Sequence, residues 1–147
     1  MKTIYNKTNR EELIARMNRL TPEHKAQWGK MTAYQMLKHC CMNEQLLLGK
    51  KTYPRLFVGR LFGKLALNNM LKNDAPLSKN SPTHPSMKIT GAGDFDAQRR
   101  EWIELLNQYD PSTTAAFTHP FFGLMTTEQI GRSVYKHTDH HLRQFGN

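Results

Sequence analysis

The sequence predicts an all-α fold: a four-helix bundle with a long crossover that contains an extra short helix. Three observations carry that expectation. Four segments place apolar residues at helical spacing between capping residues. No segment alternates apolar and polar residues as a half-buried strand does. A long connection, residues 50–93, separates the second segment from the third, as in bundles with one long crossover.

The first helix is expected from about Asn9 to Arg19, on the spacing of Leu13, Ile14, Met17 and Leu20. Thr21 followed by Pro22 reads as a cap and first-turn proline opening a short helical piece through Glu23 to Gln27. Thr32 caps a second long helix that runs to about Leu48, and Gly49 ends it. Met36, Cys40, Leu46 and Leu47 occupy one side of it, and Leu37, Cys41 and Leu48 another. Apolar residues over most of the circumference indicate a helix buried among others. Within the crossover, Pro54 interrupts early, Arg55 to Leu71 reads as a basic amphipathic helix, and Leu71 to Gly93 reads as a loop rich in Asn, Ser, Pro and Gly. Asp94 caps a helix from Phe95 to Tyr109 whose core stripe is Trp102, Leu105, Leu106 and Tyr109, stopped by Asp110-Pro111. Thr126 and Gln129 stand in capping-box spacing ahead of the last helix, which runs to Phe145 with Gly146 behind it.

A chain of 147 residues with 38% hydrophobic content is enough for one globular domain, residues 1–147. It opens MKTIYNKTNREEL, with no apolar h-region, and no apolar run reaches the roughly 20 residues that span a bilayer. The expected location is the cytoplasm. Adjacent Cys40 and Cys41 suit free thiols, because a bridge between neighbours is strained. The net charge is +9 and uneven. Residues 50–93 hold eight Lys or Arg against the single acid Asp74. A surface of that kind attracts nucleic acid, anionic lipid or an acidic small molecule, or is simply a solvated face.

The histidines carry the chemistry. At 100° per residue, Ile130, Val134, His137, His141 and Gln144 share one face of the last helix, with Tyr135, Lys136, Leu142, Arg132, Asp139 and Arg143 mostly on the other. His137 and His141 therefore point inward one turn apart and can converge on one ion. A pair needs a third ligand, and His39 lies on an inward arc of the second long helix with Met36, Asn43 and Leu46. Zinc, nickel, copper and iron accept imidazole. Three histidines with an open fourth position are the donor set of catalytic rather than structural zinc. The plainer alternative is that these are hydrogen-bonded core histidines.

The segment His119-Pro-Phe-Phe-Gly-Leu-Met-Thr-Thr-Glu-Gln-Ile-Gly-Arg, followed by Tyr135-Lys-His-Thr-Asp-His-His-Leu-Arg-Gln-Phe145, resembles a family of unknown function within the DinB/YfiT-like superfamily. Met31-Thr-Ala-Tyr-Gln-Met-Leu-Lys-His-Cys40, Asn80-Ser-Pro-Thr-His-Pro85 and the helix around Trp102 resemble the same family, so the likeness spans nearly the whole chain. His-x-x-His-His-x-x-Gln is its most specific motif. The resemblance implies a four-helix bundle and a divalent metal held by His39, His137 and His141. It also implies kinship with S-transferases and isomerases that use the metal to activate a low-molecular-weight thiol. His119 can reach the open side of such a site from its loop, or can serve the turn before Pro120. His140 sits beside the ligand pair or faces a partner chain. Asn43 and Gln144 can orient a bound water.

Two functions of different class follow. One is a metal-dependent enzyme for a small-molecule substrate, with zinc, nickel or iron and a thiol cofactor, acting as a transferase or hydrolase. The other is a basic binding module for an anionic membrane or nucleic acid. Nucleic acid is the weaker partner, because no recognition motif is present and aromatic residues do not interleave the Lys and Arg. A homodimer fits bundles of this type.

Overall fold

The computed structural model describes residues 1–147. Its α-helices are α1 (Lys7–Asn18), α2 (Ala33–Leu47), α3 (Phe57–Met70), α4 (Phe95–Leu106) and α5 (Thr127–Gln144). A 3-10 turn occupies Pro85–Met87, and two short antiparallel strands, β1 (Phe117–His119) and β2 (Gly123–Met125), precede α5. Both α1 and α2 pack against α4 and α5, which closes the four into a bundle. Trp102, Phe145, Leu13, Met17, Met36 and Leu106 are fully enclosed at its centre.

Local chemistry explains the helix limits. Asn6 accepts from the Asn9 amide, so α1 begins earlier than its apolar spacing suggests. Thr32 with Gln35, and Thr126 with Gln129, form complete capping boxes, and Asp94 accepts from Ala97. Such a cap stabilises a helix by about 1 kcal/mol. Gly49 and Gly146 follow α2 and α5 with φ of 71° and 76°, a left-handed conformation that glycine adopts without strain. Helix α4 stops at Leu106, short of the expected Tyr109, although Tyr109 stays buried.

Three expectations need correction. The piece after Thr21-Pro22 is a single turn and not a helix: the His24 ring accepts from the Thr21 amide, and the segment has no apolar face to dock. The strand pair was not visible in the sequence, because three residues are too few for an alternating pattern; its register runs from Phe117 opposite Met125 to His119 opposite Gly123. And α5 does not have a polar side of the extent its periodicity suggests. Tyr135, Lys136 and Leu142 are buried too: Lys2 of the N-terminal segment lies over Tyr135, the crossover meets Lys136, and Leu142 joins the hydrophobic core. The Ile4 amide donates to Gly131 O there, and Lys136 Nζ donates to Asn73 O and Ala75 O at 2.8 Å each.

The crossover's helix α3 is seated by an absence of side chains. Gly59 and Gly63, one turn apart, lie against the backbone of Phe121 and Phe122 in the turn between β1 and β2. A Cβ on either would collide with the Phe121 carbonyl. The Leu56 amide donates to Pro120 O in the same turn, and Leu67 continues the contact into the core.

In an exposed helix, Gly→Ala stabilises by about 1 kcal/mol. At position 63 the collision reverses the sign, and Gly63→Ala is expected to destabilise by about 1–3 kcal/mol, the usual cost of overpacking. Denaturant unfolding with limited proteolysis checks this: cleavage within residues 50–93 should accelerate. An unchanged or raised midpoint would mean that α3 is not held by this contact.

Candidate metal centre

Helix α2 supplies His39, and α5 supplies His137 and His141 one turn apart, so the structure brings the three together. One ligand-type atom from each lies within 4.8 Å of the others. His39 Nε2 and His137 Nε2 are 3.3 Å apart. The rings of His39 and His141 meet edge-on at 5.0 Å, and those of His137 and His141 at 4.6 Å.

Hydrogen bonds at the far side of two rings decide which nitrogens face inward. His39 Nδ1 is 3.3 Å from Met87 O, which can only accept, so Nδ1 carries the proton and Nε2 presents a lone pair. Gln144 Nε2 donates to Trp28 O at 2.8 Å, which turns Gln144 Oε1 toward His141 Nδ1, also at 2.8 Å. His141 Nδ1 is therefore the donor, and its Nε2 is free. Partners of this kind fix the tautomer and orientation of metal-binding imidazoles.

His137 has no such partner; its Nδ1 is enclosed and unpaired. With the proton on Nδ1, a buried N–H lacks an acceptor and two Nε2 lone pairs face each other. With the proton on Nε2, a buried lone pair is left over instead. A cation among the Nε2 atoms removes the conflict between the facing lone pairs. Tetrahedral zinc with bonds of about 2.0–2.1 Å sets neighbouring nitrogens about 3.3 Å apart, close to the separation found between His39 and His137. The residues present therefore fit a divalent ion of the imidazole-accepting kind.

Electrostatics keep the cluster in its ligating form. Burial holds the His39 pKa below its usual value, and burial followed by neighbouring imidazoles holds His137 well below it. Burial and His39 bring His141 down to about 3. All three are neutral near pH 7. His39 and His141 are buried, and His137 is intermediate as a residue although its ring Nδ1 is enclosed. Two shallow surface hollows, one lined by Leu47, Gly49 and Phe117 and the other by Tyr5 and Arg132, lie elsewhere.

The other candidates have separate positions. His140 stacks edge-on against Trp28 at 5.6 Å and against His141 at 5.2 Å. His119 Nδ1 accepts from the amides of Phe121 and Phe122, both at 3.1 Å, so its ring orders the turn that seats α3. Its Nε2 consequently carries the proton, and burial brings its pKa to about 4. Asn43 donates to Glu44 Oε1 at 3.3 Å, which commits its amide to that carboxyl.

Two groups were missed in the sequence. Met87 O acts through its backbone, which residue type does not reveal. Glu44 is fully buried in α2 and accepts from the Tyr109 hydroxyl at 2.6 Å. Burial raises its pKa to about 7, against the opposing pull of Tyr109, Asn43 and the nearby Trp102 indole. An acid on a helix otherwise read as buried was the available signal. Cys40 and Cys41 are free and buried, and burial pushes the Cys41 thiol up to about 12. They are not activated nucleophiles.

Fold and cluster together define a helical bundle with three histidines grouped at metal-ligating distance on two facing helices. The chain belongs to the DinB superfamily, whose family model matches residues 7–145. No curated protein and no solved structure matches the chain significantly. No helix is long and apolar enough to cross a membrane.

Because the folded pKa of Glu44 lies above the unfolded value of 4.5, its contribution is fully present below pH 4.5 and is lost as pH rises through about 7. Glu44→Gln should therefore gain stability relative to wild type between those pH values, by roughly 3 kcal/mol in total. Urea unfolding at a series of pH values measures the difference. A flat difference would show that Glu44 ionises normally.

Proposed function

We propose that the chain is a metal-dependent enzyme that holds one divalent ion, zinc, nickel or iron, through His39, His137 and His141 and acts on a small molecule. The observation that carries this reading is the facing pair of Nε2 atoms 3.3 Å apart, with the Nδ1 atoms of His39 and His141 committed to Met87 O and Gln144.

When bound, a divalent cation supplies Lewis acidity, which favours the deprotonated form of a water or thiol that reaches it. The chain's own residues do the rest. Met87 O and Gln144 hold two imidazoles in one tautomer, so that no proton competes for their Nε2 atoms. His119 keeps its Nε2 proton and is neutral near pH 7, so it can donate a hydrogen bond to an approaching group without repelling a cation. The reaction class that fits is transfer from a low-molecular-weight thiol or hydrolysis of a small molecule. The first of these rests on the wider kinship with thiol-dependent S-transferases that the sequence resemblance implies, and membership of the DinB superfamily is compatible with it.

Elemental mass spectrometry on untagged protein purified without chelator should find about one zinc, nickel or iron per chain. His137→Ala should lose it while keeping its helical circular dichroism. Gln144→Leu should keep the fold and weaken metal affinity about 10- to 100-fold, as changes to ligand-orienting partners do. Wild-type protein that neither contains nor takes up metal would end this reading.

A further inference from the structure

Seven large apolar side chains are exposed on the molecule, and five of them sit on α3: Phe57, Val58, Leu61, Phe62 and Leu65, each 56–73% exposed. At 100° per residue they fill an arc about 140° wide on the side facing away from the glycine seat. A sixth, Leu124, lies on β2, against which α3 packs. The arrangement cannot relax by rotation. Turning α3 to bury the arc would push side chains into the Phe121 backbone, where only Gly59 and Gly63 fit.

Charge identifies the partner. Arg60 and Lys64 border the apolar arc along one edge, and Lys50, Lys51, Arg55 and Lys72 flank the helix in the chain. None of the six forms an ion pair. The only acid between residues 50 and 93, Asp74, is engaged by the Lys2 amide and the Met1 amine. A second copy docking by the same face would bring two strongly basic segments together, because a two-fold interface sets a patch against itself. A nucleic acid would leave the apolar arc facing phosphates. A surface that is apolar within and anionic at its rim satisfies both features.

We propose that α3 docks the protein in the plane of an anionic lipid bilayer. Phe57, Leu61, Phe62 and Leu65 enter the boundary between headgroups and acyl chains, and Arg60 and Lys64 extend along it to the lipid phosphates and carboxylates. At 14 residues the helix lies on the membrane rather than through it. None of these residues belongs to the histidine cluster, so docking and metal binding fail independently.

The test is co-sedimentation of the full chain with vesicles of phosphatidylcholine, with and without about one-third phosphatidylserine. Wild type should partition to the anionic vesicles at least about tenfold more strongly than to the neutral ones, and added salt should weaken the binding. A Leu61→Glu, Leu65→Glu double variant should lose at least about tenfold while keeping its helical content and metal content. A Phe62→Trp reporter should shift its emission to the blue on the same vesicles. Folded wild type that stays in solution, or a double variant that binds as well as wild type, overturns the proposal. So does a wild-type dimer that the double variant dissociates in the absence of any vesicle binding, which assigns the face to a second copy. Binding to a duplex oligonucleotide in place of vesicles overturns it in favour of a nucleic acid.

Discussion

Desolvation of three neighbouring imidazoles is the constraint around which the bundle is organised. A protonated imidazole in that interior would face two others at about 5 Å with little water between them, so each must be neutral. Neutrality alone still leaves each ring two tautomers and two flips. The Met87 carbonyl and the Gln144–Trp28 pair remove that freedom for two of the three rings. Each of these partners comes from outside the helix pair that supplies the ligands, or is itself tied outside it. The 3-10 turn at Pro85–Met87 is therefore part of the site, and so is the carbonyl of Trp28. The long crossover contributes backbone to the centre of the molecule as well as connecting its halves.

The crossover is held at several points along its length. Lys136 grips it at Asn73 and Ala75, the carbonyl of Leu77 approaches His140, and Lys79 Nζ stands 4.5 Å above the Trp28 ring. His84 donates through Nε2 toward Pro54 O, while its Nδ1 accepts from Ser86. These contacts are polar and individually weak, but they fall at intervals that leave no long free span. Such a strap positions a carbonyl such as that of Met87 without an apolar core of its own.

Most of the architecture was legible because it is written in side chains with period 3.6. Thr32 as a cap and Thr126 with Gln129 in capping-box spacing announced two helix starts, and the inward spacing of His39, His137 and His141 marked the residues that the fold brings together. What was not legible depends on the backbone or on tertiary cover. A carbonyl partner such as Met87 O has no signature in residue type. The burial of Tyr135 and Lys136 follows from the N-terminal segment and the crossover lying over α5, and helical periodicity describes one helix at a time. The strands β1 and β2 are paired by their turn, where Gly123 and the His119 ring set the geometry, and not by an apolar pattern of their own.

The glycine seat of α3 works by a different physics from the rest of the core. Leu13, Trp102 and Phe145 are held in place largely because water is expelled around them. Gly59 and Gly63 have no side chains to desolvate; they let two stretches of backbone approach closely enough for dispersion to act over a continuous surface. Helices inside bilayers associate through small residues in this way, since hydrocarbon surroundings provide no hydrophobic drive. A joint of that construction keeps its strength whether the medium beside it is water or oil, so α3 can change solvents without changing its place on the protein.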